Sequence, residues 1–134
     1  MGSDGVVTDD VAVPGPPAER PAPASDEGEW GRATQVARNV PVSVKVVRVH
    51  PGGVHSLQVH RRRSELWVIL DLGLRVEVDG HAWEPGPGDE VWIPAGSIHR
   101  VTAPGPGGRF IEVSFGHFDE ADVTRLEDAY GRVR

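Results

Sequence analysis

From Trp30 onward the chain is cut into short runs rich in β-branched residues, and turn residues end nearly every run. Val42 to Val49 (VSVKVVRV) stops at Pro51-Gly52-Gly53. Ser56 to His60 alternates, with Leu57 and Val59 on one side and Gln58 and His60 on the other, which is the period of a half-buried strand. Glu65 to Asp71 (ELWVILD) and Leu74 to Val78 (LRVEV) follow, parted by Gly73. Asp79-Gly80 is a strong hairpin signal, because both central positions of such a turn take left-handed backbone. His81 to Glu84, Val91 to Ile93, His99 to Thr102 and Arg109 to Phe115 complete the series. The breaks between them are Pro85 to Asp89, Pro94-Ala95-Gly96 and Pro104 to Gly108. Short strands at this spacing predict an all-β sandwich or barrel.

The two ends read differently. Residues 1–28 carry Pro14, Pro16, Pro17, Pro21 and Pro23 among Ala, Asp and Glu. Such a stretch lacks the apolar area that offsets ordering entropy, so it is expected to be a disordered tail. It has no basic start and no long apolar run, unlike a signal peptide. Near the other end Val123, Leu126 and Tyr130 recur at helical spacing, and Asp119 or Asp122 stands where a cap would. A short helix is predicted there, packed on the outside of the barrel or closing one end. The remaining division is one domain over residues 29–134, near the usual size for a single core.

A formal charge of −6 argues against a general phosphate-backbone binder, and Arg61-Arg62-Arg63 is too short to reverse it. With no cysteine, there is neither a disulfide framework nor a thiolate metal site. No run is long enough to span a bilayer. The expectation is a cytoplasmic protein acting on a small molecule, with no nucleic-acid or membrane partner. Glu65 to Leu70 is apolar at both parities, so both faces need cover. A second sheet, the C-terminal helix or another subunit would supply it, and a homodimer is the expected assembly.

Four polar residues stand out from this pattern: Gln58 and His60 at i and i+2, Glu65 at the start of the next strand, and His99 after the Pro94-Ala95-Gly96 turn. Residues two apart on a strand point the same way. A barrel that gathers these strand ends would offer two imidazoles, one carboxylate and one amide oxygen. That set suits Zn²⁺, taken first here, or Fe²⁺, Mn²⁺, Co²⁺ or Ni²⁺. The amide ligand favours Lewis-acid work on a carbonyl or hydroxyl. Without it, His60, Glu65 and His99 remain a 2-His-1-carboxylate set, which can serve oxygen chemistry.

The order of turns and ligands resembles the two signature motifs of the cupin superfamily. The first reads G-x5-H-x-H-x3–4-E-x6-G; here Gly52, Gln58, His60 and Glu65 match it, with Gln in the first His place and Gly73 one residue late. The second reads G-x5-P-x-G-x2-H-x3-N; Gly88, Pro94, Gly96 and His99 match, and Ala103 replaces the Asn. The fold implied is a double-stranded β-helix, the jelly-roll barrel. Within cupins the chain is similar to the C-terminal domain of type II mannose-6-phosphate isomerases. The similarity runs from Trp30-Gly31-Arg32 through Ser56-Leu57-Gln58, Gly86-Pro87-Gly88-Asp89 and Glu112-Val113 to Tyr130-Gly131-Arg132. Leu66, Arg61 and Arg62 stand where that family usually has His, and Ser114 where Gln is common.

The resemblance implies that Gln58, His60, Glu65 and His99 are metal ligands. It also implies an aldose–ketose isomerisation of mannose 6-phosphate through a cis-enediol. Such a reaction needs a cation on the phosphate, for which Lys45, Arg63 and then Arg132 are the candidates. Arg100, next to inward His99, is expected to face outward. Of the histidines, His55 is the candidate base. Guanylyl transfer, found in fused relatives, is not expected, since these residues contain no Gly-rich nucleotide loop. The alternatives are a small metal-dependent cupin acting on a non-sugar metabolite, as cyclase, isomerase or oxygenase, and a non-catalytic ligand-binding cupin.

Overall fold

The structure is a computed structural model and describes residues 13–132. Its strands are β1 (Ala24–Gly28), β2 (Gly31–Gln35), β3 (Val42–Val49), β4 (Leu57–Val59), β5 (Arg63–Ile69), β6 (Arg75–Val78), β7 (His81–Trp83), β8 (Glu90–Ile93), β9 (His99–Thr102), β10 (Gly108–Gly116) and β11 (Thr124–Glu127). One sheet has the order β3-β10-β5-β8 and the other β11-β4-β9-β6-β7; β1 and β2 form a separate exposed hairpin. All the strand pairs are antiparallel. Two facing antiparallel sheets of this kind make the predicted jelly-roll. No helix of the described residues is long and apolar enough to cross a membrane.

Alternation sorts the side chains. Trp67, Ile69, Val76, Val91, Ile93, Val101, Ala103 and Phe110 form the buried core between the sheets. Trp67 stacks on Phe110 with ring centroids 4.4 Å apart. Further along the same inward rows the residue type changes to polar. Gln58, His60, Arg63, Glu65, His99, Glu112 and Ser114 are all buried. The interior is therefore apolar at one end and polar at the other. The Asp79-Gly80 hairpin forms as predicted, with φ of 49° and 84°, and Asp79 Oδ1 accepts from the Ile98 N–H at 2.9 Å, beside His99.

The predicted C-terminal helix is not present: residues 124–127 form β11, an edge strand. Thr124 pairs with Val59 and Arg125 with Gln58. The three apolar residues at helical spacing do not make a buried stripe, since Leu126 and Tyr130 are exposed. A short helix gains little without one. β4, paired to β9 on one edge, instead gains backbone partners on the other.

Within the tail expected to be disordered over residues 1–28, Pro17, Ala18 and Arg20 lie against the outer face of the first sheet and Ala24–Gly28 form β1. Pro17 O accepts from Ser64 Oγ at 2.6 Å, Ala18 O accepts from Trp92 Nε1 at 3.3 Å, and Arg20 pairs with Glu90. Residues 1–12 lie outside the described residues. The second face of β5 is thus covered by the chain itself: Leu66 packs with Val113 and Phe115, and Val36, Ala37, Val42 and Trp92 lie against them.

Candidate metal centre

β4, the turn that follows it, β5 and β9 carry the four residues to one place. Gln58 faces His99 across the β4–β9 pair. The turn after β4 leads into β5, which carries Glu65, and Gly96, at φ 90°, donates its N–H to His60 O at 2.7 Å. The Pro94-Ala95-Gly96 turn therefore braces the chain at His60 as well as leading into His99. Ligand-capable atoms of His60, Glu65 and His99 all lie within 4.8 Å of one another. Glu65 and His99 are 1% exposed and His60 is 4% exposed, so the cluster is a built interior feature and not a chance group of surface charges.

Hydrogen bonds select the atom each ligand presents. His60 Nδ1 lies 2.7 Å from Asp122 O, and His99 Nδ1 lies 3.0 Å from Ser97 O. A carbonyl only accepts, so both Nδ1 atoms carry the proton and both Nε2 atoms keep a lone pair. His99 Nε2 is buried with no hydrogen-bond partner among the described residues, a costly state for a polar atom unless something fills it. Trp67 Nε1 donates to Glu65 Oε1 at 2.9 Å, which leaves Oε2 facing His60 Nε2 at 3.4 Å. Outer partners of this kind hold metal ligands in orientation. The orphaned nitrogen and the donor set fit a divalent cation of the Zn²⁺, Fe²⁺, Mn²⁺, Co²⁺ or Ni²⁺ class.

Gln58 joins the group through its amide. Its Oε1 accepts from Ser56 Oγ at 2.7 Å and its Nε2 lies 3.2 Å from His60 Nε2. Rotating the amide by a half-turn exchanges the two ends, and the Ser56 hydroxyl can accept as well as donate. In that orientation the oxygen faces the cluster.

Electrostatics follows from burial. Burial holds the His60 and His99 pKa values below the ordinary range, although the Glu65 carboxylate opposes it in both. Both imidazoles are thus kept neutral, the form that binds metal. Burial alone would raise Glu65, but His99, His60 and Arg63 outweigh it and keep the carboxyl low. His55 is pushed down to about 4 by burial and by His99, and its Nδ1 is also buried without a partner among the described residues.

The candidate phosphate cations separate. Arg63 is buried and held: Nε donates to Glu65 Oε2 at 2.9 Å, NH1 to Asp119 O at 3.2 Å, and NH2 lies 3.2 Å from His60 Nε2. Its guanidinium also lies over the Phe118 ring, 4.5 Å from the centroid. Lys45 is more exposed, pairs with Glu120 at 3.2 Å and lies over the same ring. Arg132 is tied to Asp128 at 2.7 Å. Arg100 faces outward as expected, bonding Glu77 and Glu127.

A cavity of about 190 Å³ opens onto Gln58 and His60 and is walled by Lys45, His55, Arg63 and Glu112. A larger one, about 450 Å³, lies between residues 14–24 and the 35–41 segment. It is apolar, with Arg38 its one charged wall residue, and lacks the groups for chemistry. Asp122 and Glu112 were not singled out by the sequence reading. Asp122 looks there like a helix cap; in the fold its carboxylate accepts the N–H groups of Arg61 and Arg62 at 3.0 and 2.9 Å. Glu112 alternates inward between Phe110 and Ser114, a parity that the strand pattern of residues 109–115 carries.

Comparison with known proteins agrees with the fold. The family described as mannose-6-phosphate isomerase C-terminal matches residues 26–128. Mannose-1-phosphate guanylyltransferase ManC of Salmonella typhimurium is 36% identical over 106 residues, covering 78% of this chain and 22% of that protein. Alginate biosynthesis protein AlgA of Pseudomonas aeruginosa is 35% identical over 106 residues, with the same coverage. The chain thus spans about a fifth of the length of these relatives. Among solved structures, KdgF from Halomonas sp. superposes with a TM-score of 0.56 at 22% identity, covering 64% of this chain and 78% of that one. A Cupin 2 conserved barrel domain protein from Salinispora arenicola gives 0.52 at 26% identity, covering 63% and 68%.

Proposed function

Because the chain belongs to the mannose-6-phosphate isomerase C-terminal family, we propose that it is a metal-dependent aldose–ketose isomerase acting on a sugar phosphate of the mannose 6-phosphate type. The observation that carries the reading is the convergence of His60, His99 and Glu65 in a buried cluster, with His99 Nε2 unpartnered among the described residues. Gln58, His60, Glu65 and His99 would hold the metal. When bound, the metal supplies Lewis-acid polarisation of the C1 and C2 oxygens.

The protein's own groups account for the rest. Asp122 O and Ser97 O fix the two imidazole tautomers. Trp67 fixes the Glu65 carboxylate. Arg63 adds a buried positive charge beside Glu65, and Lys45 stands at the cavity wall where an incoming phosphate would meet it. The apolar floor formed by Trp67 and Phe110 excludes water below the site and strengthens the electrostatic interactions above it.

The test is a coupled assay for fructose 6-phosphate from mannose 6-phosphate, with Zn²⁺, Co²⁺ or Mn²⁺ added to chelator-treated protein. Metal-dependent turnover is expected. Stoichiometric metal without turnover would sink the isomerase reading. Oxygen consumption with Fe²⁺ would move the site to a different chemistry.

A further inference from the structure

Glu112 has no part in the metal centre, yet its burial needs an explanation. It lies on β10 with its side chain turned inward and is 7% exposed. Its only side-chain hydrogen bond among the described residues is a long one, from Ser114 Oγ at 3.5 Å. Lys45, its cross-strand partner on β3, pairs with Glu120 instead. A buried carboxyl with so little compensation is unfavourable for folding, and such groups concentrate at functional sites. The same cavity wall includes Gln58 and His60.

We propose that Glu112 is the base that moves the proton between the two carbons of the substrate. The inference rests on the isomerase reading. The Glu112 carboxylate takes the proton from C2 of the aldose, the C–H electron pair becomes the C1=C2 bond, the C1=O π pair moves to O1, and O1 takes up a proton from solvent to give the enediol. The carboxylic acid exchanges its proton with solvent while the enediol is held. It then gives a proton to C1, where the C1=C2 pair forms the new C–H bond, as the O2 hydroxyl releases its proton to solvent and its bonding pair completes C2=O. No proton is gained or lost overall.

Other groups in the cavity suit the role less well. His60 is occupied as a ligand. Glu120 is paired with Lys45, and its side chain is 78% exposed. His55 is held down to about 4, which makes it a weak base near neutral pH. Burial, then the charge of Glu65, raises Glu112 to about 7, where a general acid–base group works well in both directions.

The experiment compares Glu112→Gln, Glu112→Asp and His55→Gln with the wild type, all loaded with the same metal. It reads kcat, KM, metal content and deuterium uptake from D2O into the product. Glu112→Gln is expected to lower kcat by about 100-fold or more, with KM and metal content unchanged and deuterium uptake lost. Glu112→Asp keeps the carboxylate but withdraws it, so an intermediate kcat is expected; His55→Gln should retain turnover. If Glu112→Gln does not fold, Glu112→Asp decides: kcat equal to the wild type overturns the inference. Turnover by Glu112→Gln close to wild type overturns it while leaving the isomerase reading intact. An inactive, metal-loaded wild type overturns both.

Discussion

His60 Nδ1 and Asp122 O are 2.7 Å apart although 62 residues separate them in the chain. The hydrogen bond sets the His60 tautomer, and the Asp122 side chain holds the next two peptide groups, Arg61 and Arg62. One residue on a C-terminal loop thus positions the first ligand-bearing turn.

Replacing Asp122 by Ala should loosen that turn without removing a ligand. The main-chain carbonyl that bonds His60 is kept, so metal affinity is expected to fall by less than the roughly 10- to 100-fold that follows the outright loss of an outer partner. Stability should drop by about 1–2 kcal/mol. Metal titration and chemical denaturation read the two effects, and unchanged affinity would mean that the turn is held by other contacts.

His60→Ala and His99→Ala should each abolish stoichiometric metal, because each removes an Nε2 that its neighbours have oriented. Elemental analysis of the purified variants measures this. Full metal in both would refute the site.

Trp67→Phe removes the donor to Glu65 Oε1 while keeping most of the ring that stacks on Phe110. The buried carboxylate then lacks a partner on that oxygen, which costs about 1–3 kcal/mol. A matching shift of the denaturation midpoint, with weaker metal binding, is expected. A variant as stable as wild type would show that the bond contributes little.

Stability of the chelator-treated protein should depend on pH through opposed sets of groups, the depressed histidines, His55 among them, and the raised Glu112. His55 has a folded pKa of about 4 against 6.5 in the open chain. As pH falls below 6.5 the unfolded chain takes up a proton that the folded one refuses, so stability declines until about pH 4. Glu112 has a folded pKa of about 7 against 4.5. Between pH 4.5 and 7 the folded form holds the extra proton, so stability declines as pH rises, with the full cost present above 7. Each unit of displacement corresponds to roughly 1.4 kcal/mol. Glu112→Gln is therefore expected to exceed wild-type stability at pH 8 and not at pH 4, and His55→Gln to tolerate acid better. Parallel thermal-melting curves for wild type and both variants would contradict this.

Val44 and Val46 are 60% and 67% exposed on β3, an edge strand of its sheet. Apolar edge strands tend to find partners, and a second copy of this chain is the expected one. Light scattering should give twice the 14.4 kDa chain mass, and Val46→Asp should shift it to the monomer. A wild-type mass of 14.4 kDa would remove the dimer.

The strands, the Asp79-Gly80 hairpin, the inward parity of Gln58, His60 and Glu65, and the outward turn of Arg100 were legible in the sequence. They depend on period-two alternation and on turn residues with particular backbone angles, which are local properties. The end of the chain was misread for the same reason. Val123, Leu126 and Tyr130 have helical spacing, but the open edge of β4 decided their structure, and no local pattern records an open edge. The order of ligands and turns was enough to identify the family. Only the folded barrel showed that Asp122 orients His60, that Trp67 holds Glu65, and that Glu112 enters the same cavity. Each of those contacts joins residues whose meeting depends on how the sheets pair and close. Side-chain direction along a strand is set locally; which side chains then face one another is set by strand order and register across the whole barrel.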